Sequence, residues 1–480
     1  MACLKKLHMS NWKSLTAVLC LFGFLINCRP LEPFLTAYLV GPYKNATQQQ
    51  VINVLFPIWT YSYLALLFPV FMVTDLLRYK PVMVLQAVFA IITFVLLCFA
   101  QGMASLKAVQ FCFAMVTATE VAYFSYIYSM VPSKHYQQVT SFLRSANLLG
   151  FMSAAILGQL LVSFAELPYF YLGTITIGAE SAALLLSTVL PMPSRSMFYR
   201  SEDGAQCNQM DLSKKDMNSD AKEAPVCENV SAIMEVKSIP HLRSTRENVS
   251  KTLSQLWYSF KVCYSSRKVI YSSLWWAFAT CGHNQVYNYT QSLFQHIAPS
   301  GNFSVYNGAV EAAASVVGSM ASFSVTFMTL DWDTWGELIL GIFSSVSTSA
   351  IFMMAFTNSI WLCYAGYIIL RASYMLLITI TMFLIADNLS DECYALMFGI
   401  NTFVALLLQT LLTAIVVDES SLGLGIVNQF IIYGSYYTVI SVIFLLRGIY
   451  VLCYKWKRRQ PQGHEDVLSE APFVIFSQKL

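Results

Sequence analysis

Apolar residues run through most of this chain in long blocks, and polar residues collect in the short gaps between them. A run of about 20 apolar residues spans the hydrocarbon layer as a helix. With no water in the bilayer core, backbone polar groups must be satisfied inside the segment, so these runs predict helices rather than an open sheet. The pattern predicts spans at 14–39, 53–77, 81–101, 107–131, 139–163, 168–191, 269–296, 307–329, 336–357, 361–386, 393–417 and 427–453. The expectation is an all-α membrane protein of twelve transmembrane helices.

A long polar stretch divides the spans six and six. Residues 1–191 form an expected N-terminal six-helix bundle and residues 269–453 a C-terminal one. Between them, residues 192–268 are rich in Ser, Asn, Lys, Asp and Glu with no sustained apolar period. That composition predicts a largely disordered linker. Residues 454–480 are the expected tail.

Composition agrees with the pattern. Of 480 residues, 56% are hydrophobic and 11% charged, against about 25% charged in soluble domains. The net charge of +3 gives no ground for a nucleic-acid partner. The twelve cysteines show no CxxC and no Cys/His cluster, so they read as small buried hydrophobes and no metal or cofactor is expected. Lys5, Lys6 and Lys13 ahead of the stretch from Leu15 to Ile26 imitate a secretory signal. No small-residue cleavage site follows, so the stretch is read as the start of the first span.

Lysine and arginine set the orientation. Lys5, Lys6, Lys13, Arg78, Lys80, Lys134, Arg144 and the Lys455–Arg459 cluster fall on one side, whereas the other side holds Lys44 and Lys107. N- and C-termini are therefore expected in the cytoplasm. The sequon at Asn45 falls outside and is the expected glycosylation site, with Asn302 also outside. Asn229, Asn248 and Asn388 fall inside.

Polar residues kept within the spans are costly and mark a cavity or a pair. On the fourth span Gln110, Phe113, Thr117, Glu120 and Phe124 share one helix face. A carboxylate among aromatic rings suits a flat organic cation; pairing of Glu120 with Arg29 fits the same residues. Phe56, Trp59 and Tyr63 share a face of the second span, as a substrate wall or an interfacial belt. Arg29 and Glu32, three residues apart, read as a local ion pair. Asn284, Asn288 and Gln291 form a polar stripe on the seventh span, suited to interhelical bonding or to a cavity wall. Glu311, Arg371 with Tyr374, Asn401 and Gln409 follow on later spans. Glu180 and Glu337 read as outer or interfacial. Asp75 through Lys80 loosely matches the acid-and-base loop of major facilitators. No Walker A, HExxH or nucleophile elbow occurs, so neither ATP-driven pumping nor enzyme chemistry has support.

Several segments in order resemble one family. They are Arg29–Leu35, Trp59–Leu64, Arg78–Pro81, Glu120–Tyr123, Ser273–Thr280, Tyr306–Glu311 and Phe398–Phe403. The chain resembles the family of reduced folate carriers and thiamine transporters across both six-helix halves. The resemblance implies a major facilitator fold of two six-helix bundles, alternating access, a plasma-membrane location, proton coupling and a vitamin substrate. Folates are anions and thiamine is a cation. In folate carriers an arginine stands at the position of Glu120 and a lysine at that of Gln409, so this chain's residues imply thiamine. Pyridoxine, folate and a transport-dead receptor are the alternatives. By the same resemblance Glu32, Phe56, Trp59, Glu120 and Asn284 surround the substrate. Gln110, Phe113 and Phe151 stand where thiamine-carrying members have a glutamate and two tyrosines, and Phe94 where they have a tryptophan.

Overall fold

The structure is a computed structural model that describes residues 12–77, 79–130, 136–192, 261, 264, 266–300, 304–327, 330–386 and 394–459. Most of the 192–268 linker, the 460–480 part of the tail, Arg78, the sequons at Asn229, Asn248, Asn302 and Asn388, and the side chains of Asp75 and Phe124 lie outside this set.

The described residues are helical. Helices α1 (Trp12–Ile26) and α2 (Leu35–Val40) occupy the first predicted span, and α3 (Phe56–Leu76) the second. Helices α4 (Lys80–Phe99), α5 (Met103–Met130), α6 (Tyr136–Ser163) and α7 (Tyr169–Val189) complete the first half. The second half comprises α8 (Arg267–Ile297), α9 (Asn307–Ser324), α10 (Trp332–Phe356), α11 (Ile360–Ala386), α12 (Tyr394–Val416) and α13 (Ile426–Arg459). All twelve predicted spans are thus occupied by helix, and α13 runs six residues past the expected start of the tail.

One expected span is not continuous. The chain leaves α1 at Ile26 and re-enters helix only after a 3₁₀ turn at Glu32–Phe34. Pro30 and Pro33 have no N–H to donate, so the stretch cannot continue the ladder. Side chains satisfy the freed carbonyls. Asn27 Nδ2 donates to the Gly23 carbonyl at 2.9 Å and Arg29 Nε to the Ile26 carbonyl at 2.8 Å. The break puts Arg29 and Glu32 within the predicted 14–39 span. The second span is also irregular: a capping box at Thr47–Gln50 and a π-helical turn at Val51–Leu55 precede α3.

Each half has its own core. Phe22, Met83, Ala118, Tyr123 and Leu143 are buried together in the first half; Tyr289, Tyr367, Phe430 and Tyr433 in the second. Large apolar side chains also cover the outer faces: Phe99, Leu185, Phe356 and Leu446 are all more than 60% exposed. Such a surface fits hydrocarbon rather than water. The halves meet along three helix pairs, α2 with α8, α3 with α12, and α6 with α9.

Candidate functional site

Eight of the helices are long and apolar enough to cross a membrane by length and composition. Among the described residues, α1, α5, α8 and α9 are the remaining helices of the predicted spans, and α1 is short. These four carry many of the intramembrane polar groups. Arg29 and Glu32 follow α1, Gln110 and Glu120 lie on α5, Asn284 and Gln291 on α8, and Glu311 on α9. A helix that gives up apolar character inside a bundle does so toward a cavity or a partner.

In the first half the organising group is Arg29. Its Nη1 lies 3.5 Å from Glu32 Oε2, its Nε 3.4 Å from Glu180 Oε1, and its guanidinium 5.3 Å from the centre of the Phe113 ring. Glu120 is within the electrostatic reach of the same guanidinium. It is half-buried and has no hydrogen bond or ion pair within the described residues. One turn before it on α5, Thr117 accepts a hydrogen bond from the Trp59 indole at 3.3 Å, and Trp59 stacks on Tyr63 with centroids 5.7 Å apart. Gln110 is buried and Phe113 half-buried on that face of α5. Arg29, Glu32, Trp59, Phe113, Thr117 and Glu120 are thereby drawn together from the break after α1, from α3 and from α5.

The second half holds a matching network. Arg371 Nη2 lies 3.4 Å from Glu311 Oε1, and the Tyr367 hydroxyl donates to Glu311 Oε2 at 2.6 Å. The Arg371 guanidinium stacks over Tyr287 at 4.9 Å. His283 lies flat on Tyr374 at 3.7 Å, and Asn284 Nδ2 donates to Gln409 Oε1 at 3.2 Å. Pro33 from the first half and Tyr287, Gln291, Asn307, Glu311 and Tyr367 from the second line a small cavity between the halves. Phe56 reaches the same boundary, edge-on to Tyr289 at 5.8 Å.

Side-chain to backbone hydrogen bonds seal the halves at one end. Asn53 donates to the Val417 carbonyl at 2.8 Å, Gln48 to that of Ser292 at 2.7 Å, and Gln291 to that of Glu32 at 2.9 Å. Gln159 donates to the Val305 carbonyl at 2.9 Å and accepts from the Ala309 amide at 3.1 Å. This is the end at which the segments 41–47, 164–168, 298–300, 304–306 and 417–425 emerge.

The geometry corrects two sequence expectations and settles an open alternative. Glu180, read as outer or interfacial, is fully buried against Arg29. Its place in the middle of an apolar span was the available signal. The first span is broken rather than continuous. Between a structural pair with Arg29 and a free carboxylate, Glu120 is free of the pair, because Glu32 and Glu180 take the guanidinium. Phe151 is half-buried on α6. Phe94 is buried in the core with Leu31, Leu97 and Leu172.

Comparisons with known proteins place this arrangement. The family model for the reduced folate carrier matches residues 10–432. The chain is 47% identical to thiamine transporter 2 of Homo sapiens, over 98% of this chain and 96% of that one. It is 34% identical to the reduced folate transporter of Homo sapiens, over 92% and 72%. In three dimensions it resembles a POT family transporter solved with 5-aminolevulinic acid, with a TM-score of 0.62 at 12% identity, covering 93% of this chain and 98% of that one. That likeness gives the major facilitator fold. A family match over most of the chain and near half identity end to end show that this protein is a membrane transporter, not an enzyme, and belongs to the reduced folate carrier family.

Proposed function

We propose that the protein takes up thiamine across the plasma membrane by alternating access coupled to protons. The observation that carries the reading is Glu120, an intramembrane carboxylate without an ion pair, set on one helix face with Phe113 and Thr117 and joined through Thr117 to Trp59. A fixed negative charge between aromatic faces recognises a flat aromatic cation by Coulomb attraction and cation–π stacking together. Counted as formal charges, the first-half cluster sets three carboxylates, Glu32, Glu120 and Glu180, against Arg29, with Arg144 also within electrostatic reach of Glu120, whereas Glu311 and Arg371 cancel in the second half. That balance disfavours a folate dianion. Higher identity to a thiamine transporter than to a folate transporter supports the same choice.

In this reading Glu32, Phe56, Trp59, Gln110, Phe113, Glu120, Phe151 and Asn284 line the substrate path. The hydrogen-bonded end is the closed outer side, and Glu120 is the group that carries the exchanged proton. The termini and the 192–268 linker face the cytoplasm. Asn45, exposed in the 41–47 loop, carries the glycan; Asn45→Gln is expected to abolish the glycan-dependent shift on a gel, and an unchanged band removes that assignment.

Uptake of labelled thiamine into transfected cells, with pyridoxine and folate as competitors, tests the substrate. Glu120→Gln keeps shape and removes charge. It is expected to reach the surface and lose most thiamine uptake at every external pH between 5.5 and 8. Wild-type uptake by this variant across that range would return recognition to Glu32 or Glu311. Competition by pyridoxine or folate but not thiamine would replace the substrate.

A further inference from the structure

Glu180 sits where a charge is hardest to keep. It lies on α7, which otherwise has the composition of a plain membrane span, and its side chain is fully buried. Neither carboxylate oxygen makes a hydrogen bond, and its ion-pair partner is Arg29, with Oε1 3.4 Å from Nε. Burying an ion costs several kcal/mol even after relaxation, and a single neighbour at this distance recovers only part of it. A group this expensive, held away from the cavity, acts through what it does to Arg29.

Arg29 would otherwise oppose the proposed substrate. Its guanidinium is pinned by the Ile26 carbonyl, packs on Phe113 and faces Glu32 and Glu120. An uncompensated cation there would draw both carboxylates onto itself and repel an incoming positive ring. We propose that Glu180 is a buried counter-charge that shares Arg29 with Glu32 and neutralises it from behind, leaving the cluster's excess negative charge, at Glu120, available to an aromatic cation. It is a positioning and specificity-determining residue that never touches the substrate. This rests on the cation reading above and extends it to a residue outside the cavity. The pair also explains why a carrier with an arginine at its centre can favour a cation: the net charge at the cavity, rather than the sign of any one group, sets the preference.

Glu180→Gln removes the counter-charge while keeping the shape of the side chain. The readout is a ratio, thiamine uptake compared with that of 3-deazathiamine, whose neutral thiophene replaces the thiazolium. Wild type failing to prefer the cation would sink the cation reading itself, before any variant is made. Given that preference, Glu180→Gln at normal surface level is expected to raise the thiamine KM roughly tenfold, the size of one unit charge acting across a partly buried site. The KM of the neutral analogue is expected to change less than twofold. A purely structural Glu180 would move both substrates together, and equal changes overturn the proposal.

Arg29→Gln combined with Glu180→Gln removes both members of the pair and restores the formal balance of the cavity. It is expected to reach the surface and return the cation-to-neutral ratio to within about threefold of wild type, if a restored balance brings back most of the single variant's loss. This double variant decides the matter where Glu180→Gln alone fails to reach the membrane. A double variant that also fails to fold, or that folds without cation preference, overturns the assignment.

Discussion

The Tyr61 hydroxyl donates to Asp418 Oδ2 at 2.7 Å, tying α3 to the loop that follows α12 across the boundary between the halves. It adds to the contacts of Asn53, Gln48 and Gln159 at the sealed end, and it is the one among them that involves a carboxylate. The hydrogen bond from Tyr61, with further bonds from the Ser420 hydroxyl and amide, holds the Asp418 carboxyl below its ordinary value of 3.8. The sign follows from linkage. A depressed carboxylate stabilises the sealed form above its ordinary pKa, and that contribution is lost as pH falls through the lowered value. Closure through Asp418 is therefore expected to be constant from pH 5.5 to 8.

Asp418→Asn is expected to weaken the seal by about 1 kcal/mol, the worth of one such hydrogen bond, or about fivefold in the open fraction. Labelling of Cys28, which is half-buried beside Arg29, by a membrane-impermeant thiol reagent reads the opening. The background retains Cys28 as the chain's single cysteine. Unchanged labelling at pH 7, or labelling that still varies between pH 5.5 and 8 in the parent once corrected for the thiolate fraction of an exposed cysteine, would count against the assignment.

Gly308 marks the closest approach of α9 to α6. A Cβ there would stand 2.6 Å from the Ala155 carbonyl oxygen and 3.1 Å from Gln159 Cβ, the residue whose amide caps the start of α9. Gly308→Ala must push the halves apart at the sealed end, at about 1–3 kcal/mol for overpacking. Gly150 is a control: a Cβ there meets the Phe24 carbonyl oxygen at 2.4 Å, inside one half. Gly308→Ala is expected to increase Cys28 labelling with little loss of thermal stability. Gly150→Ala is expected to lower the melting temperature without increased labelling at 25 °C.

The helices were legible because their cause is local. A bilayer demands about 20 apolar residues per crossing, and the predicted spans for α4, α6, α7, α10 and α11 fall close to the helices found. What the sequence pattern missed depends on neighbours. Pro30 and Pro33 are visible in the chain, but whether they kink or break a span depends on side chains such as Arg29 and Asn27 being placed to take the freed carbonyls. Glu180 looked interfacial because its partner is 151 positions away in sequence, at Arg29. That Phe113 and Glu120 share a face of α5 is legible because both lie on one helix. The Glu311, Tyr367 and Arg371 network needs two helices, and only its members, not their contacts, could be named beforehand.

Trp59 lies against α5 through Thr117 and stacks on Tyr63, an inward placement that favours the substrate wall over a lipid belt. Removing the ring is expected to cost about 1–2 kcal/mol of stacking and contact energy, or roughly tenfold in KM. Trp59→Phe, which keeps a ring without the indole N–H, is expected to lose less. A Trp59→Ala variant with wild-type KM and normal surface level returns this residue to the belt.

Glu311 and Arg371 are an unequal pair. Both side chains are nearly buried, at 12% and 10% exposed, and their charges cancel across 3.4 Å. Removing one partner of a buried pair costs about 3–5 kcal/mol because it strands the other charge, but the two stranded charges differ here. Without Arg371, Glu311 still accepts the Tyr367 hydroxyl at 2.6 Å, and an entering cation can compensate it. Without Glu311, Arg371 loses its carboxylate and keeps neutral tyrosines such as Tyr287, its Nε already lacks a hydrogen bond, and a cation beside it adds repulsion. Glu311→Gln is therefore expected to lose more surface protein and more thiamine uptake per molecule than Arg371→Gln. The double variant is expected to recover surface level, since it strands neither charge. Quantifying surface protein and initial uptake rate for the three variants checks the order. If Arg371→Gln is the more damaging single change in uptake per surface molecule, the arginine is itself a substrate contact, and the second half recognises an electron-rich part of the solute instead of merely balancing its own charge.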